Sequence, residues 1–269
     1  MHQRQKSSCF SVATQIPNLP ACVPVCLCAF LTAACIGKSE YQQGPETVPG
    51  AKNEAGPPTP GMVKGKPVLR CGSPPVPATD GLLDDFEDGN NQLTNMAGRD
   101  GYWWVSVDKA GSKFTTPAQG FEPEDGVAHM VGETVKGTPE DAWGVTFGSN
   151  FVSSQGSLYD ASMYAGISFR AKASLESTKT VRFGVSDVNT HPDAGICKTC
   201  WNHFRKDITL TTEWKEYKVL FSEMKQRDGW GDPRPSNITP DQLMAFNFDF
   251  EGGQKFEIWL DDLQFLACR

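Results

Sequence analysis

The sequence predicts an all-β fold, a β-sandwich preceded by an N-terminal stretch with no core of its own. Three observations carry this expectation. From Gly81 onward, short apolar runs, many alternating with polar residues, recur between clusters of Gly, Asn, Asp and Pro, the texture of strands joined by turns. Apolar spacing at three and four residues is scarce over the same stretch, so helices have little to build on. The first 80 residues show neither pattern, which leaves a folding unit of roughly 190 residues, ample for two packed layers.

In chain order, the first element is a targeting segment. His2, Arg4 and Lys6 precede an uncharged, mostly apolar run over residues 21–34 that ends in small side chains. A bilayer span needs about twenty apolar residues and this run is shorter, so residues 1–34 read as a signal peptide. Its end, Leu31-Thr32-Ala33-Ala34-Cys35, resembles the lipobox of bacterial lipoproteins, although Thr32 stands where Leu is usual. The resemblance implies that Cys35 becomes the lipidated first residue of an exported, membrane-anchored protein on the periplasmic or cell-surface side. An ordinary signal peptide cleaved near the same place is the alternative.

Residues 35–80 are dense in Pro and Gly and almost free of aromatics. Such a stretch buries too little apolar surface to offset the entropy of ordering it, and it reads as a tether. The membrane is then touched through the lipid alone. A net charge of -7 repels phosphate backbones, and with no basic cluster to override it nucleic acid is excluded as a partner.

Cysteine parity supports the same picture. Of nine cysteines, Cys9, Cys22, Cys26 and Cys28 fall in the signal segment, leaving Cys35, Cys71, Cys197, Cys200 and Cys268. With Cys35 carrying lipid, four remain to pair in an oxidising compartment. Cys71 and Cys268 bracket the domain, so bonding them clamps its ends, which commonly lie close together; Cys197 is left for Cys200.

Within the domain, residues 81–269, strands are expected at 82–86, 102–107, 127–131, 143–147, 164–171, 181–185, 206–210, 214–220, 244–250 and 256–265. One helical turn is expected over 240–244, with Thr239 as cap and Pro240 at the first helical position. Alternation assigns faces: Ile167, Phe169 and Ala171 oppose Ser168, Arg170 and Lys172, and Val181, Phe183 and Val185 oppose Arg182, Gly184 and Ser186. Phe246, Phe248 and Phe250 share a face, which leaves Asn247 and Asp249 opposite. Arg170, Arg182, Asn247 and Asp249 are thus expected on an outer face, where they could serve a polar ligand or merely meet water.

The most unusual segment is Asp187-Val-Asn-Thr-His191-Pro-Asp193-Ala-Gly-Ile-Cys197-Lys-Thr-Cys200-Trp201-Asn-His203. His191, Cys197, Cys200 and His203 have zinc-like spacing, but oxidation competes for thiols in an exported chain. The preferred reading is a short disulfide that stiffens a loop presenting Trp201 and His203, with Asp187 at its start. Trp103, Trp104 and Trp230 also lie in or beside loops, Trp230 between two glycines, and one of the adjacent pair Trp103 and Trp104 must turn inward. Trp143, Trp214 and Trp259 are expected in the core. Indoles beside Asp, Asn and Arg suit sugars, whose flat C–H faces stack while their hydroxyls need polar partners. Carboxylates gather at both ends of the domain, in Asp84-Asp85-Phe86-Glu87-Asp88 and Asp261-Asp262; brought together, they could hold a structural Ca²⁺. No Gly-x-Ser-x-Gly elbow, zinc-binding His-Glu-x-x-His or phosphate-binding Gly-Lys-Ser loop occurs, so no catalytic motif is available.

The segments Leu83-Asp-Asp-Phe-Glu-Asp88, Tyr164-Ala-Gly-Ile-Ser-Phe169, Val181-Arg-Phe-Gly-Val185, Trp214-Lys-Glu-Tyr217 with Phe221, Gly229-Trp-Gly231 and Ile258-Trp-Leu-Asp-Asp262 occur in an order that resembles the galactose-binding-like β-jelly rolls. That group includes family 11 carbohydrate-binding modules and the complex I intermediate-associated proteins. The resemblance implies a concave face that grips a glycan chain and a structural calcium at Glu87, Asp261 and Asp262. It brings no catalytic residues. The leading expectation is a non-catalytic carbohydrate-binding lipoprotein whose ligand residues are drawn from Arg170, Arg182, Asp187, Trp201, His203, Trp230, Asn247 and Asp249. A protein-interaction or assembly factor on the same fold is the second reading, and a β-sandwich glycoside hydrolase or lyase the third.

Overall fold

A computed structural model describes residues 61–115, 126–138 and 140–269. The segment read as a signal peptide, Cys35 and the first part of the expected tether lie outside the described residues. Eleven strands follow one another: β1 (Val76–Asp84), β2 (Trp103–Val107), β3 (Lys113–Phe114), β4 (Ala128–Glu133), β5 (Val145–Asn150), β6 (Gly166–Ala173), β7 (Thr180–Asp187), β8 (Phe204–Thr209), β9 (Lys215–Leu220), β10 (Leu243–Phe250) and β11 (Lys255–Ala267). Each of the ten expected strands is present. The addition is β3, a two-residue edge strand whose Lys113 and Phe114 are too short a pattern to read.

The strands form two antiparallel sheets. One has the order β3-β4-β11-β6-β9, with β1 also on β11; the other runs β2-β5-β10-β7-β8. All connections but β3–β4 and β7–β8 cross from one sheet to the other, so the chain wraps both layers around a common core. The long strand β11 organises the first sheet: its residues 255–260 pair with β4, and its later residues pair with β1.

The alternation read from the sequence places the phenylalanines inside. Phe169, Phe183, Phe246, Phe248 and Phe250 are buried between the layers, and the rings pack in offset and edge-on contacts, such as Phe169 edge-on to Phe248 at 5.1 Å and Trp103 stacked on Phe147 at 4.5 Å. These geometries add to the stabilisation from burial alone. Arg99 is fully buried, its guanidinium donating to the Tyr159 hydroxyl at 2.6 Å and to the carbonyls of Asp80 and Leu82 at 2.6 and 2.9 Å. It therefore ties β1 to the sandwich.

Two expectations about boundaries change. The domain starts before Gly81: β1 begins at Val76, and upstream of it Val63 exchanges backbone hydrogen bonds with the Asn189 side chain, accepting at 2.9 Å and donating at 2.8 Å. The Lys66 backbone N–H donates to Asp241 at 2.7 Å, and its ammonium pairs with Asp160 at 2.7 Å. A Pro- and Gly-rich stretch without a core of its own is here ordered by polar side chains of the domain, partners that its own composition does not announce. The helical turn expected after Thr239 is only a reverse turn, closed by Gln242 N–H to the Thr239 carbonyl at 3.0 Å. The Thr239 hydroxyl accepts from the Asn189 amide at 3.1 Å, and pairing of β10 takes over at Leu243.

Disulfides join Cys71 to Cys268 and Cys197 to Cys200. The first closes the domain's two ends on each other beside the β1–β11 pair.

Candidate functional site

Two glycines open a groove on the outer face of the five-stranded sheet. Register aligns Trp104, Gly148, Asn247, Gly184 and Arg205 in one row across β2, β5, β10, β7 and β8, and Ser106, Thr146, Asp249, Arg182 and Asp207 in the next. Because side chains alternate along each strand, both rows face away from the core. A Cβ at Gly148 would come within 2.9 Å of the Trp104 indole and of the Asn247 Cβ, and one at Gly184 within 3.0 Å of the Asn247 amide. The missing side chains are what make room for Trp104 and Asn247 to lie low on the sheet. Trp103, the inward partner of Trp104, is 4% exposed in the core, while Trp104 stays half-buried on the groove side.

The groove floor is fixed by its own polar bonds. Asp249 Oδ1 accepts from the Thr146 hydroxyl at 2.8 Å and from the Asn247 amide at 2.7 Å. Arg182 bridges two carboxylates, donating to Asp207 at 2.7 Å and to Glu251, and Glu251 also accepts from Arg227 at 2.7 Å. These planar groups are held without freedom to rotate, so a ligand that meets them loses little side-chain entropy.

Beyond β8 the wall is built from two loops. Backbone bonds between Arg205 and Lys225, 2.9 and 3.0 Å, add a further edge to the sheet. Asn202 then staples the loops together: its amide donates to the carbonyls of Arg227 and Trp230 at 2.9 and 2.6 Å, and its Oδ1 accepts from Arg227 N–H at 2.9 Å. Trp201 follows the Cys197–Cys200 disulfide with φ +74°, a left-handed backbone that a bulky residue rarely adopts, and its carbonyl accepts from Arg205 at 2.7 Å. At this end of the groove a recess of about 190 Å³ is lined by Arg182, Arg205, Asp207, Lys225, Gln226 and Arg227. Burial, with Arg182 and Arg227 close by, lowers the pKa of the Arg205 guanidinium, while Asp249 opposes that shift.

The residues expected to bind ligand divide into three sets. Arg182 and Asp249 lie on the groove face, with Asn247 beneath them, 4% exposed and holding Asp249 through its amide; Trp201 and Trp230 belong to the loops at its far end. Arg170 is on the other sheet, across the core, where its guanidinium lies 5.3 Å over Trp214 and 3.3 and 3.7 Å from Asp262 and Asp261. Alternation gives the side of a strand and not the sheet it joins, which is why Arg170 was grouped with Arg182. Asp187 and His203 are corrected too, being enclosed in the fold. Asp187 accepts from Thr239 N–H at 2.9 Å and Asn189 N–H at 3.1 Å, and its burial raises its pKa. His203 lies with one ring nitrogen 3.1 Å from the Thr190 hydroxyl and is held neutral by burial and by nearby His191 and Arg205.

Trp214 and Trp259, expected in the core, instead lie half-buried in a ladder on the outer face of the six-stranded sheet. Lys172 sits 5.2 Å from the Trp214 ring and 4.8 Å from the Trp259 ring, and His129 stacks on Trp259 at 4.5 Å. Trp143 is half-buried as well. Trp104, Thr146, Arg205 and Asp207 were not singled out from the sequence as ligand residues; Trp104 could have been, since one of two adjacent tryptophans must face outward. Arg205 needed the cross-strand register.

For a metal, the ends of the domain do meet. Burial, then the neighbouring carboxylates of Asp262 and Glu87, push the pKa of Asp261 up, while Arg170 opposes the shift. Arg170 already supplies positive charge there, and among the described residues no group of three or more His, Cys, Asp or Glu side chains is arranged to hold an ion. The zinc reading of the Cys197 loop fails because its two sulfur atoms are bonded to each other.

Residues 71–268 match the profile of a protein family described as carbohydrate binding domain, family 11. Among solved structures, the chain is similar to the family 11 carbohydrate-binding module of the cellulosomal cellulase Lic26A-Cel5E of Clostridium thermocellum, with 16% identity and a TM-score of 0.45 over 71% of this chain and 96% of that one. It is also similar to a Clostridium thermocellum family 11 module in complex with a β-1,3-1,4-mixed-linked tetrasaccharide, with 17% identity and a TM-score of 0.43 over 71% and 98%. A family 30 carbohydrate-binding module is similar at 12% identity and a TM-score of 0.42 over 71% and 88%. No curated protein matches the chain.

Proposed function

The chain belongs to the carbohydrate-binding domains of family 11, and on that premise we propose that it holds a polysaccharide chain in the groove of the five-stranded sheet without cleaving it. The observation that supports this is the pair of rows: an indole at one edge, amide and carboxylate groups locked at the centre, and guanidinium groups at the other edge. An indole face stacks on a sugar's C–H face, and fixed planar donors and acceptors read its hydroxyls. The domain is a binding module; that the whole protein also lacks catalytic activity is part of the proposal. A hydrolase needs a carboxyl group that donates its own proton, whereas the groove carboxylates Asp207, Asp249 and Glu251 all accept hydrogen bonds from side-chain donors. Retardation in glycan-loaded native gels tests the reading. Trp104→Ala is expected to weaken retention at least tenfold, about 1.4 kcal/mol, with smaller losses for Trp201→Ala and Trp230→Ala. Retention on no glycan, or retention unaffected by Trp104→Ala, rejects it.

Export and anchoring through Cys35 belong to the same proposal. The lipobox-like sequence and the two disulfides, which need an oxidising compartment, support them. Labelled palmitate should enter the wild-type protein and not Cys35→Ser, and the variant should leave the membrane fraction. A structural calcium at Glu87, Asp261 and Asp262 belongs to the same proposal, supported by the meeting of the domain's two acidic ends, where Asp84 at the end of β1 lies opposite Leu263 of β11. Adding calcium to chelator-treated protein should then raise Tm by several degrees, and Asp261→Asn should abolish the rise; an unchanged Tm rejects the ion.

A further inference from the structure

We infer that the recess at the Arg205 end of the groove is a subsite for an acidic sugar, one bearing a carboxylate such as a hexuronate residue. The inference rests on the groove being the glycan site and assigns the chemistry of one position within it. The chain carries a net charge of -7, yet the recess is lined by Arg182, Arg205, Lys225 and Arg227 against a single carboxylate, Asp207. Glu251 at its margin and Asp249 near Arg205 bring the opposing charges to three, against four cations; Arg182 is bonded to Asp207 and Glu251, Arg227 shares Glu251, and Asp249 acts on Arg205 without bonding to it. Lys225 has no ion pair and Arg205 none to a carboxylate among the described residues. Arg205 is mostly buried and its Nε–H lacks an acceptor, although buried guanidinium groups are normally matched. Its charged form is opposed by burial and by Arg182 and Arg227, which Asp249 and Glu251 offset only in part. Crowding of like charges in a partly desolvated recess is what an anion would relieve.

Size and position agree with one sugar residue. At about 190 Å³ the recess has room for one sugar ring. The recess continues the rows that start at Trp104, so a chain stacked on the indole would run into it. A guanidinium fork receives a planar carboxylate through two parallel hydrogen bonds and discriminates it from a neutral hydroxymethyl group.

The test measures affinity of the full chain for polygalacturonate, alginate, an uncharged β-glucan, an uncharged xylan and dextran sulfate by gel retardation and calorimetry. At least one polyuronate is expected to bind tenfold or more tightly than either uncharged polymer, with affinity falling as salt rises. Lys225→Ala, on the exposed wall with no ion pair, should remove most of that preference while leaving binding to uncharged polymer in place, and Arg227→Ala should remove most of it as well. Equal affinity for charged and uncharged glycans overturns the acidic subsite and leaves the carbohydrate-binding reading standing. Binding of dextran sulfate as tight as the best polyuronate overturns it in favour of a general polyanion surface, and polyuronate affinity indifferent to both substitutions overturns its placement. Binding to no glycan at all overturns the function proposed above.

Discussion

Asp84 closes β1 in the core, accepting from the Trp103 indole at 2.6 Å and from Phe86 N–H at 2.8 Å. Burial outweighs those two bonds and lifts its pKa from 3.8 to about 7. Between those values the folded protein binds a proton that the unfolded chain has released, so this group's contribution to stability falls as pH rises, by a few kcal/mol in all. His203 acts in the opposite sense. Its folded pKa lies well below 6.5, so the unfolded chain takes up the proton first and stability falls as pH drops below 6.5. Melting curves of wild type and Asp84→Asn separate the two: the stability difference between them should decline from pH 4 to pH 7 and level off above, and a constant difference counts against the raised pKa. Two glycines give a second contrast. Gly144 has φ +106° and a Cβ there would lie 1.9 Å from the Phe250 carbonyl, so Gly144→Ala should cost about 3 kcal/mol or more. Gly184→Ala should cost under about 1 kcal/mol and still weaken glycan binding, because the nearest atoms that a Cβ there would meet, at 3.0 Å, belong to the Asn247 amide in the groove floor; denaturant melts and gel retardation read the two effects. At this scale the sequence showed which side chains are polar and outward. It could not show that Asp187 and His203 would be enclosed, since their covers, Thr239 and Thr190, are recruited by folding.

Strands were legible because a period of two survives in nearly all of them, and their boundaries moved by only a few residues where a bulge or a turn intervened. Pairing was not legible: β6 lies between β11 and β9, and β7 between β10 and β8, and nothing in either strand's own pattern states this. Arg170 and Arg182 were therefore read onto one face although a core separates them, and the Trp214–Lys172–Trp259 ladder went unseen. The disulfides belong to this scale as well, and they should differ in worth. Cys71–Cys268 spans 197 residues and on chain-entropy grounds stabilises by about 5 kcal/mol, whereas Cys197–Cys200, spanning 3, stabilises by about 2. Urea midpoints of the two paired Cys→Ser variants should fall in that order. Loss of the shorter bond should tell more on glycan affinity, since it holds the turn from which the Trp201 carbonyl engages Arg205.

For the molecule as a whole, composition and texture were enough to give an all-β sandwich, and the bonded ends agree with the parity of its cysteines. The groove needed the register of five strands at once, which is why only Arg182, Asn247 and Asp249 of its floor were anticipated. The clamp beside β1 also bears on load. Tension drawn through the chain upstream of Cys71, against a domain gripping immobile polymer, would first break the Val63 and Lys66 contacts and, without the clamp, then reach the Val76–Ala267 pair and peel β1 from its partner one rung at a time. The covalent bridge to Cys268 intercepts that pull and delivers it into β11, which is flanked by β6 along its length. In force spectroscopy the oxidised protein should release its polymer before the sandwich lengthens, and the paired Cys71→Ser, Cys268→Ser variant should yield first at β1.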